Sequence, residues 1–138
     1  MRKNGLTLIE ILIVIIIMAI LATMILPKFF GQEERGYVAE AVGILSAMRQ
    51  GEEAYKLEYS GYKYPTSTAD WALLGMDSPT GVFTYTVTQV GTTTSFIARA
   101  ARNAGGSCAA GLTITLSSSG TYGGTHILGP NPDPGASC

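Results

Sequence analysis

The longest apolar stretch of the chain runs from Leu6 to Leu26, and Glu10 is its only charged residue. It reads LTLIEILIVIIIMAILATMIL, 21 residues in all. At about 1.5 Å per residue a helix of this length extends roughly 32 Å, close to the ~30 Å hydrocarbon core of a bilayer. The pattern therefore predicts a helix that spans a membrane.

The charges around this stretch predict its orientation. Arg2 and Lys3 precede it, whereas Lys28 and then Glu33 and Glu34 follow it. Basic residues before a span place the N-terminus in the cytoplasm, so the rest of the chain is expected outside. A carboxylate within a span is costly and marks a functional position with a nearby partner, although Glu10 could also be a carboxyl hydrated near the cytoplasmic interface.

The helix is expected to continue to Tyr59 with a weak point and then a change of character. Pro27 removes a backbone donor and Gly31 is a poor helix former, which predicts a kink or local melting over Pro27–Gly36. Farther on, apolar residues recur at helical spacing, which predicts one buried stripe: Val38, Ala41, Val42, Leu45, Met48, Tyr55 and Tyr59. The charged residues between them are expected mainly off that stripe: Glu40, Arg49, Glu52, Glu53 and Lys56.

The remainder predicts a short helix and then β-structure. Ser67 or Thr68 could cap a helix over Ala69–Leu74, with Trp71, Leu73 and Leu74 facing inward. Alternating β-branched and aromatic residues predict two hairpins, from Val82–Gln89 with Thr94–Ala101 and from Leu112–Leu116 with Gly120–Leu128. We therefore expect an α+β fold in which a three- or four-stranded antiparallel sheet lies on the long helix.

Composition limits the chain of 138 residues, with net charge −1, to one globular domain beyond the span. No basic block is present, so no specific nucleic-acid partner is expected. Cys108 and Cys138 both fall on the predicted exterior side. Two cysteines in an oxidising compartment predict one disulfide, which would close a C-terminal loop; free thiols or intermolecular bridges are the alternatives.

The sequence offers no pattern typical of an enzyme. A G-x-S-x-G elbow, a phosphate-binding glycine loop and a C-x-x-C-H haem motif are all missing from it. His126 is the only histidine, in a predicted strand, and is expected to be a surface or hydrogen-bonded residue. We expect a protein that is not an enzyme, with no cofactor and no metal.

The segment Lys3–Glu10 (KNGLTLIE), followed by an apolar helix with Pro27 near its exit, resembles the N-terminal signature of type IV pilins and type II secretion pseudopilins. The resemblance implies that a prepilin peptidase cuts after Gly5 and that Leu6 is then N-methylated. Leu6 stands where the family usually has phenylalanine. Glu10 would become the fifth residue of the mature chain, where the family keeps a glutamate, and could pair with the new amine of Leu6 in its own or a neighbouring subunit.

The resemblance also implies a function and a location. The expected protein is a structural pilin subunit that polymerises with itself through its first helix after storage in the bacterial inner membrane, in contact with lipid, and ends in an extracellular surface filament. An assembly platform and a motor ATPase would be its partners. The alternatives are a type II secretion pseudopilin and a minor tip pilin that acts as a binding module. Major pseudopilins hold Ca²⁺ with C-terminal carboxylates, whereas residues 82–138 contain one acid, Asp133.

The sequence thus predicts five consecutive segments. They are a leader (1–5), a membrane and filament-core helix (6–27), the amphipathic half of the same helix (28–59), a loop with a short helix (60–81), and the sheet with its disulfide-closed loop (82–138).

Overall fold

The computed structural model describes residues 7–91, 94–105 and 108–130, except for the side chains of residues 25–31. The chain divides into two compact units, residues 1–33 and 34–138. The first helix, α1, covers Leu8–Tyr59 and contributes to both units. The predicted leader, with Gly5 and Leu6, lies outside the described residues.

The described part of the first unit is helical from Leu8 onward. The backbone N–H of Glu10 donates to the carbonyl and hydroxyl oxygens of Thr7 at 3.1 and 3.3 Å, so Thr7 caps the helix. Every large apolar side chain from Leu8 to Met24 is at least 46% exposed. The helical assignment continues through Pro27 and Gly31. The kink or local melting expected there stays a prediction, because those side chains lie outside the description.

No helix within the described residues combines the length and apolar character needed to cross a membrane. The span expected over Leu6–Leu26 therefore stays a prediction.

The second unit is built on a four-stranded antiparallel sheet with strands in sequence order. The strands are β1 (Phe83–Gln89), β2 (Phe96–Arg102), β3 (Thr113–Ser117) and β4 (Tyr122–Gly124). Alternate residues of β1 and β2 are buried, and they form one core with the apolar stripe of α1. This core includes Val38, Ala41, Leu45, Met48, Phe83, Tyr85, Val87, Phe96, Ala98 and Ala100. The predicted α+β architecture is confirmed.

The short second helix, α2, covers Thr68–Leu73, and Ser67 is its N-cap as predicted. The Ser67 hydroxyl accepts from the backbone of Asp70, while the Asp70 carboxylate accepts from Ser67, which makes a reciprocal capping box. Trp71 and Leu74 are buried, but Leu73 is 53% exposed, so its predicted inward orientation is wrong. This short helix offers one inward stripe, which is occupied by Trp71 and, three positions farther on, by the C-cap residue Leu74.

Three further expectations need correction. Glu52 is fully buried instead of lying off the stripe, because it follows Met48 by four residues and so shares its face. The fourth strand ends at Gly124 and does not reach Leu128, since Gly124 has a φ of 119° and the next two amides both donate to the carbonyl of Thr113. Tyr59, the last member of the predicted stripe, is 56% exposed.

Only one of the two cysteines of the predicted disulfide lies within the described residues. Cys108 is buried and is not a free thiol. Cys138, its expected partner, lies outside the described residues together with most of the C-terminal loop. The bridge therefore stays a prediction.

Candidate functional site

Glu10, the one acid of the apolar stretch, lies in the first turn of α1 and is exposed. The free N–H groups of a helix start carry partial positive charge, which stabilises a carboxylate there. Thr7 and Glu10 have the spacing of a capping box, and the Thr7 hydroxyl accepts from the Glu10 amide. The expected pairing with the amine of Leu6 stays a prediction, since Leu6 lies outside the described residues.

The described helix of the first unit presents apolar side chains in every direction. Its exposed large residues are Leu8, Ile9, Ile11, Leu12, Ile13, Val14, Ile15, Ile16, Ile17, Met18, Ile20, Leu21 and Met24. A soluble surface helix keeps a polar face, whereas a helix that is apolar all round is stable only when lipid or protein surrounds it. We call Leu8–Met24 the apolar segment, and it is the candidate interaction surface.

A second candidate is a buried polar cluster formed by Glu34, Arg102 and His126. It lies in the second unit, residues 34–138, which we call the globular unit. All three side chains are at least 95% buried. The Arg102 guanidinium donates to both Glu34 carboxylate oxygens, from Nε to Oε1 at 2.9 Å and from the second terminal nitrogen to Oε2 at 3.0 Å. His126 Nε2 lies 3.1 Å from the same Oε1. The guanidinium carbon also lies 5.7 Å from the ring centre of Phe83.

The hydrogen bonds of His126 define its tautomer. The Leu128 amide donates to His126 Nδ1 at 3.3 Å, so the ring proton is on Nε2 and is donated to Glu34. Burial alone raises the pKa of Glu34, but the hydrogen bonds and charges of Arg102 and His126 outweigh it and hold that pKa below its usual value. The ionised carboxylate therefore stabilises the fold above pH ~4.5, and this contribution is lost as pH falls through the lowered pKa.

The sequence contained a signal for two members of this cluster. Glu34 precedes the buried Val38 by one helical step of four residues, and Arg102 continues the inward alternation of Ala98 and Ala100 in β2. From the sequence we did not assign Arg102 to the core, and we considered Glu34 only as an acid that follows the apolar stretch. His126 had no such signal, because it follows the end of β4.

One oxygen of Glu34, the sulfur of Cys108 and a ring nitrogen of His126 all lie within 4.8 Å of one another, which raises the question of a metal. Cys108 is not a free thiol, and both Glu34 oxygens already accept hydrogen bonds from Arg102. A cation would have to displace that guanidinium. The cluster fits a structural ion pair and not a metal centre.

Comparison with known proteins agrees with the N-terminal signature. Residues 1–26 match the family described as the prokaryotic N-terminal methylation motif. Curated relatives include the type II secretion system core protein G of Aeromonas hydrophila, 35% identical over 66 residues, or 48% of this chain and 45% of that protein. The protein of the same name from Pseudomonas aeruginosa is 31% identical over 80 residues, or 58% of this chain and 54% of that one. No solved structure gives a significant match.

The matched region spans only about half the length of these curated relatives. The similarity therefore covers about half of this chain and does not extend over a whole relative. All eight significant curated matches carry the same protein name, which favours the pseudopilin branch over the pilin branch. The N-terminal methylation motif and these relatives support the resemblance of the chain to type IV pilins and type II secretion pseudopilins.

Proposed function

We propose that this protein is a structural subunit of a type II secretion pseudopilus, a short polymer that the subunits form with one another. The observation that carries the proposal is the apolar segment Leu8–Met24, whose large side chains are all exposed and which lies within the residues that match the methylation motif. The shared name of the curated relatives supports secretion as the setting.

Processing would create the assembling form. A prepilin peptidase cuts between Gly5 and Leu6, and Leu6 is N-methylated. The new amine then lies next to Thr7 at the helix start, where its positive charge adds to that of the backbone N–H groups. Glu10, one turn along, supplies the compensating negative charge within the subunit or to a neighbour. Because loss of one member of a buried charge pair costs about 3–5 kcal/mol, the pair would fix the register of neighbouring helices.

Assembly would exchange one apolar environment for another. The precursor is held in the bacterial inner membrane by the stretch Leu6–Leu26, and the same side chains are buried against other copies in the polymer. Burial is worth about 25 cal/mol per Å² relative to water, but lipid already satisfies these side chains. The net driving force is therefore small, and an assembly platform with a motor ATPase would supply the work.

The globular unit would act as a rigid body and not as a catalyst. The Glu34–Arg102 pair ties α1 to β2, and a disulfide from Cys108 to Cys138 would fix the C-terminal loop. In the chain-entropy model, closing a loop of this length contributes on the order of 3.6 kcal/mol.

A long surface pilus is the second candidate, and one observation favours it. Calcium-binding pseudopilins need several carboxylates near the C-terminus, whereas residues 82–138 offer only Asp133. Such a pilin would use the same processing and the same apolar segment.

The test is Glu10→Ala in cells that carry the secretion system, with the exposed Glu58→Ala as the matched control. We expect Glu10→Ala to remain in the membrane fraction but to lose most cross-linkable polymer and secretion, because the register charge is missing. The Glu58 variant should behave as wild type. Normal polymer and secretion with Glu10→Ala would contradict the assembly role, and long sheared fibres from wild-type cells would favour the pilus.

A further inference from the structure

Glu52 is a charged residue in an unfavourable position. It lies in α1 with no exposed surface. The Lys63 amide donates to its Oε2 at 2.8 Å, but Oε1 has no hydrogen-bond partner within the described part of the chain. The buried hydroxyl of Tyr64, in the neighbouring loop, lacks a partner there as well. Such unsatisfied buried oxygens are rare in folded proteins, and each needs an explanation.

Lys63, to which Glu52 is hydrogen-bonded, belongs to a connected piece of chain, Gly61–Leu74, which we call the latch segment. Within it the Lys63 ammonium pairs with Asp70 Oδ1 at 2.8 Å. The other Asp70 oxygen accepts from the amides of Thr66 and Ser67, both at 3.0 Å. These bonds tie the loop to α2, so the hydrogen bond at Lys63 links the segment as a whole to α1.

The charges around Glu52 do not compensate its burial. On α1 the neighbouring Glu53 adds a second negative charge, and on the latch segment the ammonium of Lys63 is shared with Asp70. Burial therefore dominates and raises the pKa of Glu52 to about 7, with the Lys63 hydrogen bond and charge opposing it. The same negative charge, after burial, raises the pKa of Tyr64.

We propose that Glu52 is a proton-operated latch: the neutral carboxyl holds the latch segment closed on α1, and the ionised carboxylate loosens it. A neutral carboxyl removes the cost of a buried charge and turns one oxygen into a donor, while the other still accepts from Lys63. An ionised carboxylate can be rehydrated only if the latch segment moves away. The folded contact favours the proton, so the latch is strongest below pH ~4.5 and weakens as pH rises through about 7.

The test is hydrogen exchange of the Lys63 amide, followed by NMR on the full-length protein in detergent micelles from about pH 5 to about pH 8.5. After division by the intrinsic exchange rate, we expect the opening equilibrium of that amide in wild type to increase by roughly 100-fold over this range. Glu52→Gln keeps the acceptor for Lys63 but cannot ionise. Its opening equilibrium should stay low and independent of pH, while the exposed control Glu58→Gln should follow wild type.

A wild-type opening equilibrium that does not change with pH would overturn the proposal, as would an unchanged pH dependence in Glu52→Gln. A second measurement needs no variant. The carboxyl ¹³C shift of Glu52 in wild type should titrate near neutral pH together with the Lys63 amide signal. Titration of the carboxyl near its ordinary value would exclude the latch even if the glutamine variant failed to fold.

Discussion

Arg102 and Glu34 place opposite charges where water does not reach, at 2.9 and 3.0 Å from each other through two parallel hydrogen bonds. Removing two charges from water costs several kcal/mol per ion, and the attraction between the paired charges roughly offsets that cost. The net stabilisation by the pair is therefore small, but removal of either member would leave the other as an uncompensated buried charge. His126 adds a third hydrogen bond to Glu34 Oε1.

We predict that Arg102→Gln lowers the free energy of unfolding of the globular unit by about 3–5 kcal/mol, because it leaves the Glu34 carboxylate buried without its cation. Arg99→Gln, in the same strand but exposed, should change it by less than ~0.5 kcal/mol. Urea unfolding followed by the fluorescence of Trp71, the single tryptophan, measures both. Equal stability of the two variants would contradict the structural role of the pair.

At this scale the sequence predicted the apolar residues better than the polar ones. Val38, Ala41, Leu45 and Met48 were predicted to share a buried stripe, and they do. Glu34 and Glu52 lie on the same helical face, but a charged residue is expected outside unless its partner is known. The partners of Glu34 come from β2 and from beyond β4, and only the folded chain brings them to it.

Among the elements, α1 lies close to the C-terminal end of α2 at Gly51, which faces the C-cap residue Leu74. A Cβ atom at that position would lie 2.5 Å from the carbonyl oxygen of Leu74, inside van der Waals contact. Gly43, two helical turns earlier in α1, has open space at the equivalent position. Both glycines lie in α1, so the same substitution to alanine can be compared in crowded and in open surroundings.

We predict that Gly51→Ala destabilises the globular unit by about 1–3 kcal/mol, because α2 must move away from α1. Gly43→Ala should stabilise it by up to ~1 kcal/mol through helix propensity alone. Thermal unfolding of the two variants against wild type checks the difference. If both alanine variants were more stable than wild type, α2 could move away from α1 without loss of stability, which would contradict the prediction.

Element positions were largely predictable because local patterns determine them. The periods of α1, β1 and β2, and the Ser67 cap, follow from side-chain alternation and from capping chemistry. The early end of β4 was not predictable, since it depends on the conformation of Gly124 and on two amides that share the carbonyl of Thr113. Leu73 was assigned inward because it is apolar, although its turn of α2 faces outward.

For the whole molecule, the features that matter most are the apolar segment Leu8–Met24 and the methylation motif over residues 1–26. The resemblance to pilins and pseudopilins could be recognised from eight residues, Lys3–Glu10, because a short linear motif carries it. The choice between pilus and pseudopilus could not. Our first expectation was a pilin, and the curated relatives, all named type II secretion system core protein G, favour the alternative.

We propose that cleavage within the methylation motif creates the N-terminus of a helix that then assembles with other copies of the chain. The most direct test of this proposal is the intact mass of the protein recovered from cross-linked membrane polymers of peptidase-positive cells. We expect a chain that begins at Leu6 and carries one added methyl group. A polymer built from chains that keep residues 1–5, or a processed chain found only as monomer, would contradict it.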